Sequence, residues 1–184
     1  FRQAIALIAQ GDDQYGYGEY RESLASYQQS LAQLNSLEQL GQETLAKALT
    51  RGIEAIESAA QTDITIAAEA ASIAMAIAPQ NQHSQQLELR AAALPQVVEQ
   101  LQAGDKLLVS KQLSGAEDAY QNALNLDNQH RRAATALKST QQAITEERFR
   151  SAMSDGFSAL DQDNFAAANP VSYTHLRAHE TRGN

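Results

Sequence analysis

The sequence predicts an all-α chain, in which antiparallel helix pairs stack as an α-solenoid with some elongated helices. Three observations carry this expectation. A 12-residue spacing between small residues occurs four times, at Gly11/Ser23, Ala55/Ala67, Gly104/Ala116 and Gly156/Ala168. Nine residues after each first member stands an apolar side chain, at Tyr20, Ile64, Leu113 and Phe165. Strand patterning is almost absent, and the one short β-branched run, 63–66, falls where a turn between helices is needed. A single small pair means little in an Ala-rich chain, but four pairs with matching apolar followers point to a repeated helical unit.

The first unit lies near residues 1–35. Gly11 and Ser23 are its small pair, and Tyr27, Ser30 and Leu31 continue the inward face of its second helix. Gly16-Tyr17-Gly18 reads as the turn between the two helices. It has neither a preceding strand nor the Lys-Ser/Thr of a phosphate cradle. Tyr20 and Tyr27 are assigned to the core. Tyr15 and Tyr17 have no assigned core position and are read either as helix-end packing or as an aromatic contact to a partner. Between this unit and the next, Leu37, Leu40, Leu45, Leu49, Ile53 and Ile56 keep a helical rhythm. The intervening residues are therefore expected to be extra helical turns, because long structureless loops are rare in compact domains.

The second unit lies near 45–79, with Ala71, Ala74 and Met75 followed by Pro79. Pro95, in the next linker, should break or kink a helix or open a new one. The third unit, near 95–128, is the clearest. Leu101, Gly104, Leu107 and Leu108 form one apolar stripe. Ala116, Ala119, Tyr120, Ala123, Leu124 and Leu126 form a second at three- and four-residue steps. Ser114 is placed to cap the second helix, and Asp127-Asn128 to stop it. Gly104 and Ala116 let the helices approach, with Tyr120 as the large plug between them.

Gly104, Ala116, Tyr120, Ala123 and Leu124 stand in the order of a tetratricopeptide repeat, and the chain resembles that family. Asn128 replaces the family's usual Pro after the second helix. Successive units are 44, 49 and 52 residues apart, against about 34 for the family. These lengths also overlap those of HEAT-type repeats, which makes a different α-solenoid the alternative architecture. Residues 131–160 contain no Pro and are expected to form one long helix.

The fourth unit, near 147–169, is incomplete. Pro170 falls where its second helix should run, and 171–181 resembles translated sequencing-adapter sequence. Residues 170–184 are read as a non-native tail. His175 and His179 have the spacing of two helical metal ligands, but Leu176 stands where the motif needs Glu and no third ligand is evident. No metal site, cofactor or catalytic residue is expected. Glu146-Glu147 and Asp161/Asp163 read as solvated carboxylates, and His83 and His130 as solvated histidines before helix starts.

Composition narrows the function classes. With no Cys, neither disulfides nor thiol catalysis can occur. The net charge is −8 and becomes −9 without the tail's Arg177, Arg182 and Glu180. That balance repels phosphate backbones, so no nucleic-acid binding is expected. No apolar run is long enough to span a membrane. Because the chain opens on Phe1, it is read as a fragment of a larger bacterial protein whose missing N-terminal segment carries any export signal or membrane anchor. The compartment stays open between cytoplasm and periplasm.

The family resemblance implies a partner groove lined by first helices. Carried onto this sequence, it includes Ile5, Ile8, Asp12, Tyr15, Leu49, Gly52, Ile56, Val98, Leu101, Asp105, Leu108, Met153 and Phe157, and Tyr17 is added from the tyrosine cluster; the alternative is that these residues pack against the elongated helices. Where some family members grip a peptide carboxylate with basic residues, these positions are apolar or acidic, which favours an apolar or basic peptide. The expected function is a noncatalytic protein- or peptide-binding scaffold. The alternative is a structural, self-assembling segment of a membrane-anchored protein.

Overall fold

The computed structural model describes residues 1–161. They form six helices: α1 (Arg2–Gly16), α2 (Tyr20–Ser58), α3 (Asp63–Ile77), α4 (Gln82–Val109), α5 (Leu113–Leu126) and α6 (Arg131–Asp161). Among the described residues there is no strand. Short turns separate the helices; α1 packs on α2, α2 on α3, α4 on α5 and α5 on α6. The chain divides into two compact units, 1–95 and 96 onward.

The surplus between units is helical, as its apolar rhythm predicts. α2 is a single helix of 39 residues. It contains the second helix of the first repeat, the linker and the first helix of the next. The long helix expected over 131–160 is α6. Pro95 lies inside α4, so it neither breaks the helix nor opens a new one. Pro95 has no N–H to give the Ala91 carbonyl, and the boundary between the two compact units falls at this residue. The run 63–66 is not a turn but the first turn of α3; the chain reverses just before it, where Ala59 takes a left-handed conformation with φ 50°. The fourth repeat enters the described residues only as far as Asp161. Phe165, Ala168, His175, His179 and the tail 170–184 lie outside them.

In the first unit, α1 lies antiparallel on the N-terminal part of α2. Ser30 Oγ donates to the Ala4 carbonyl at 2.9 Å, and Ser26 Oγ to Gln14 Oε1 at 2.8 Å. The C-terminal part of α2 packs on α3 and on the start of α4. A Cβ at Gly52 would lie 2.7 Å from a Leu87 methyl and 3.2 Å from the Ala70 Cβ, so a hydrogen at Gly52 is what lets three helices meet. The small pair Ala55/Ala67 is buried here with Ala70, Ala71, Ala74 and Leu87. Arg90 and Glu57 pair at 2.8 Å beside this core. Asn81 caps α4, its Oδ1 accepting the His83 N–H at 2.8 Å and the Ser84 N–H at 3.3 Å. Ser84 itself is fully buried, and its hydroxyl has no partner. Ser84→Ala is expected to raise unfolding stability by about 1 kcal/mol, because it removes a desolvated, unsatisfied polar group. An unchanged or lower urea midpoint would show that the hydroxyl is satisfied.

In the second unit, α5 lies antiparallel on the end of α4, and α6 follows against α5. Ala116, Ala119, Tyr120 and Ala123 are buried, as their spacing predicts. Leu126 is exposed and lies off the stripe's inner side. Ser114 caps nothing; Gln112 is the N-cap residue of α5, with no side-chain cap bond. Asp127 does end α5, and its Oδ1 accepts the Gln129 N–H at 3.1 Å. His130 is fully buried, not a solvated histidine, and its Nδ1 accepts the Ala133 N–H at 3.3 Å at the start of α6.

The α1–α2 and α4–α5 corners are the same turn 93 residues apart. The Gly18 N–H donates to the Tyr15 carbonyl and the Glu19 N–H to Gln14; the Lys111 N–H donates to Leu108 and the Gln112 N–H to Leu107. This paired pattern ends a helix on a left-handed residue. The first copy uses Gly18 at φ 80°, the second Lys111 at φ 59°. A side chain is strained there. Lys111→Gly is expected to stabilise by about 0.5–1 kcal/mol, read as a higher urea midpoint. A lower midpoint would mean that the lysine side chain outweighs the backbone strain.

Candidate binding surface

The duplicated corner displays two faces that can be compared directly. At an offset of 93 residues, Ile5, Ile8, Gly11, Asp12, Tyr15 and Tyr27 correspond to Val98, Leu101, Gly104, Asp105, Leu108 and Tyr120. In both copies the glycine lets a tyrosine ring cross. A Cβ would fall 2.6 Å from the Tyr27 ring at Gly11 and 2.5 Å from the Tyr120 ring at Gly104. In both the tyrosine hydroxyl donates to the aspartate beside that glycine, Tyr27 to Asp12 Oδ1 at 2.6 Å and Tyr120 to Asp105 Oδ1 at 2.7 Å. The hydrogen bond to the Asp12 carboxylate, then burial, raises the Tyr27 pKa. Burial, then the Asp105 carboxylate, raises that of Tyr120. The sequence reading took Asp12 and Asp105 for groove residues and missed their bond to the tyrosine. The signal was there, in a Gly-Asp pair followed at the same distance by Tyr in both copies.

The two faces differ in exposure. On α1, Ile5 is 50% and Ile8 39% exposed, and Tyr15 and Asp12 are exposed beside them. These residues follow one another at three- and four-residue steps, so they share a single stripe. Tyr15 meets Tyr20 edge to face at a centroid distance of 5.2 Å, and Tyr17 projects from the turn. Tyr20 is exposed, not a core residue, because it begins α2 at the open corner. On α4, Val98 and Leu101 are each 1% exposed, and Asp105 is half-buried with Arg132 on its Oδ2 at 2.8 Å.

The structure thus brings together Ile8, Asp12, Tyr15 and Tyr17 of the expected groove, with Ile5. It withdraws Ile56 and Leu101, which are buried. Ile56 lies one turn beyond Gly52, on the side of α2 that meets α3 and α4, so a first-helix position becomes core once both flanks are covered. Leu108 is half-buried, and Phe157 is exposed on α6. A shallow depression of about 440 Å³ adjoins the start of α1, between Phe1 and Gln3 on one side and Ser36, Leu37 and Leu40 of α2 on the other. No described helix is long and apolar enough to cross a membrane. No family model, curated protein or solved structure matches the chain.

Proposed function

We propose that the protein is a noncatalytic protein- or peptide-binding scaffold built on tetratricopeptide-like repeats. The observation that supports this reading is the exposed stripe Ile5, Ile8 and Tyr15 on α1, extended by Tyr17 and held on a helix pair fixed by the Gly11–Tyr27 contact. Apolar and aromatic side chains on a rigid element are what a partner can desolvate at low entropic cost. The acidic residues around the stripe favour a basic or apolar peptide over an acidic one. Selection of a random peptide library on the immobilised chain tests the reading. Enriched peptides should bind in solution and lose at least tenfold in affinity to Ile8→Ser. Failure of any sequence to enrich would sink the proposal.

A structural, self-assembling role is the second reading. Tyr20, Leu24 and Leu31 are exposed along α2, and such a row can join identical chains. Light scattering that grows with concentration and disappears in Leu24→Ser/Leu31→Ser favours assembly; a discrete monomer at all concentrations excludes it.

A further inference from the structure

In the second unit, α5 ends at Leu126, the chain turns through Asp127 and His130, and the first turn of α6 sends Arg132 back to Asp105. In the first unit the corresponding stretch does not turn. α2 runs straight past Gln33 and on to Ser58, and the counterpart of Arg132 is Gln39, whose amide donates to Glu43 on its own helix. Among the described residues no third helix returns over the stripe on α1, and Ile5 and Ile8 stay exposed. Asp12 keeps its bond to Tyr27 through Oδ1, and among the described residues no ion pair reaches its other oxygen. Asp13, Glu19 and Glu22 stand exposed toward this end of α1 with Arg21, while Arg2 lies at the helix's other end.

We propose that the α1 face takes an amphipathic helix from a partner protein, with an arginine placed on Asp12 and aliphatic side chains over Ile5 and Ile8. The second unit supplies the template: the same aspartate, holding the same tyrosine, receives the guanidinium of Arg132 there. A guanidinium fits because its fork can take the open carboxylate oxygen while Tyr27 keeps the other. The surrounding carboxylates draw a basic segment and disfavour an acidic one. This inference rests on the scaffold reading and names the partner's chemistry.

The probe is a synthetic peptide with the sequence of residues 127–148 of this chain, which contains the Arg132 turn. Its binding to the full chain is followed by fluorescence anisotropy. Saturable binding is expected, weakened at least tenfold by Ile8→Ser, by Asp12→Asn and by Arg132→Ala in the peptide, and weakened by added salt. Asn at position 12 can still accept from Tyr27, so the helix pair is preserved, and circular dichroism checks that it is. No saturable binding overturns the inference. So does binding that ignores Ile8→Ser and Asp12→Asn but responds to Asp105→Asn, because the peptide would then be replacing α6. Self-association of the chain that Ile8→Ser abolishes makes a second copy the occupant and overturns it as well. If library-selected peptides lose affinity to Ile8→Ser while the arginine peptide never binds, the scaffold reading stands and this one falls.

Discussion

Tyr120→Ala is expected to lower unfolding stability by about 3–5 kcal/mol, the range for deleting a buried aromatic side chain. Tyr120 is fully buried, with its ring pressed on the α4 backbone at Gly104 and its hydroxyl on Asp105. The neighbours cannot close the space, because Gly104 has no side chain to move and Ala116 and Ala123 have one methyl each. Tyr120→Phe keeps the ring and loses one hydrogen bond, at a cost of about 1 kcal/mol. Asp105 retains Arg132 in that variant. Urea unfolding followed by circular dichroism separates the two. An alanine variant that loses less than the phenylalanine value would show that the ring does not hold α5 on α4.

The same pair predicts an alkaline response. Burial and then the Asp105 carboxylate raise the Tyr120 pKa above its ordinary value. The folded state thus keeps a proton that the unfolded chain gives up near pH 10. This contribution is complete below about pH 10 and is lost as pH rises further, toward the higher folded-state value. Stability of the parent should fall more steeply than that of Tyr120→Phe above about pH 10. Equal slopes would mean that the phenol ionises as easily folded as unfolded.

The sequence made the helices legible because the apolar rhythm through residues 37–56 reports a 3.6-residue period, while the recurring small pairs mark where two successive helices meet. Gly104, Ala116 and Tyr120 were readable as a close contact for the same reason: only small residues leave room for a ring between two helices. What did not follow was the fate of each first-helix face. Ile8 and Leu101 occupy equivalent positions and have the same chemistry, yet one is exposed and the other buried. The two copies also part downstream, where α5 stops before Asp127 and α2 runs on to Ser58. Turn residues make the stop visible, but periodicity cannot say what the returning chain will cover. His130 went unread for a related reason: a histidine before a helix start resembles a solvated cap until the following helix buries it. Lys111 shows a third limit, since nothing local distinguishes it from an ordinary lysine except its place opposite Gly18 in the duplicated corner.

Gly104→Ala should destabilise even though alanine is the better helix former. The new Cβ would lie 2.5 Å from Tyr120 Cε1 and 2.7 Å from Cζ. No ordinary contact is that short, so either the ring leaves Asp105 or the α4–α5 spacing opens. Overpacking of this kind costs about 1–3 kcal/mol, while the gain in helix propensity returns about 1 kcal/mol. A clash this deep belongs at the upper end, and the expected net loss is about 2 kcal/mol. Gly41→Ala isolates the propensity term. Gly41 lies within α2, and a Cβ there would meet nothing within 4 Å, so that variant should gain about 1 kcal/mol. The same chemical change thus carries opposite signs at two helical glycines, and the sign is set by whether a tyrosine ring crosses the backbone. Gly11→Ala, with its Cβ 2.6 Å from Tyr27, should follow Gly104→Ala in direction. Urea midpoints measured on all three variants decide the matter. Stabilisation by Gly104→Ala equal to that by Gly41→Ala would show that the ring crossing places no demand on the helix backbone.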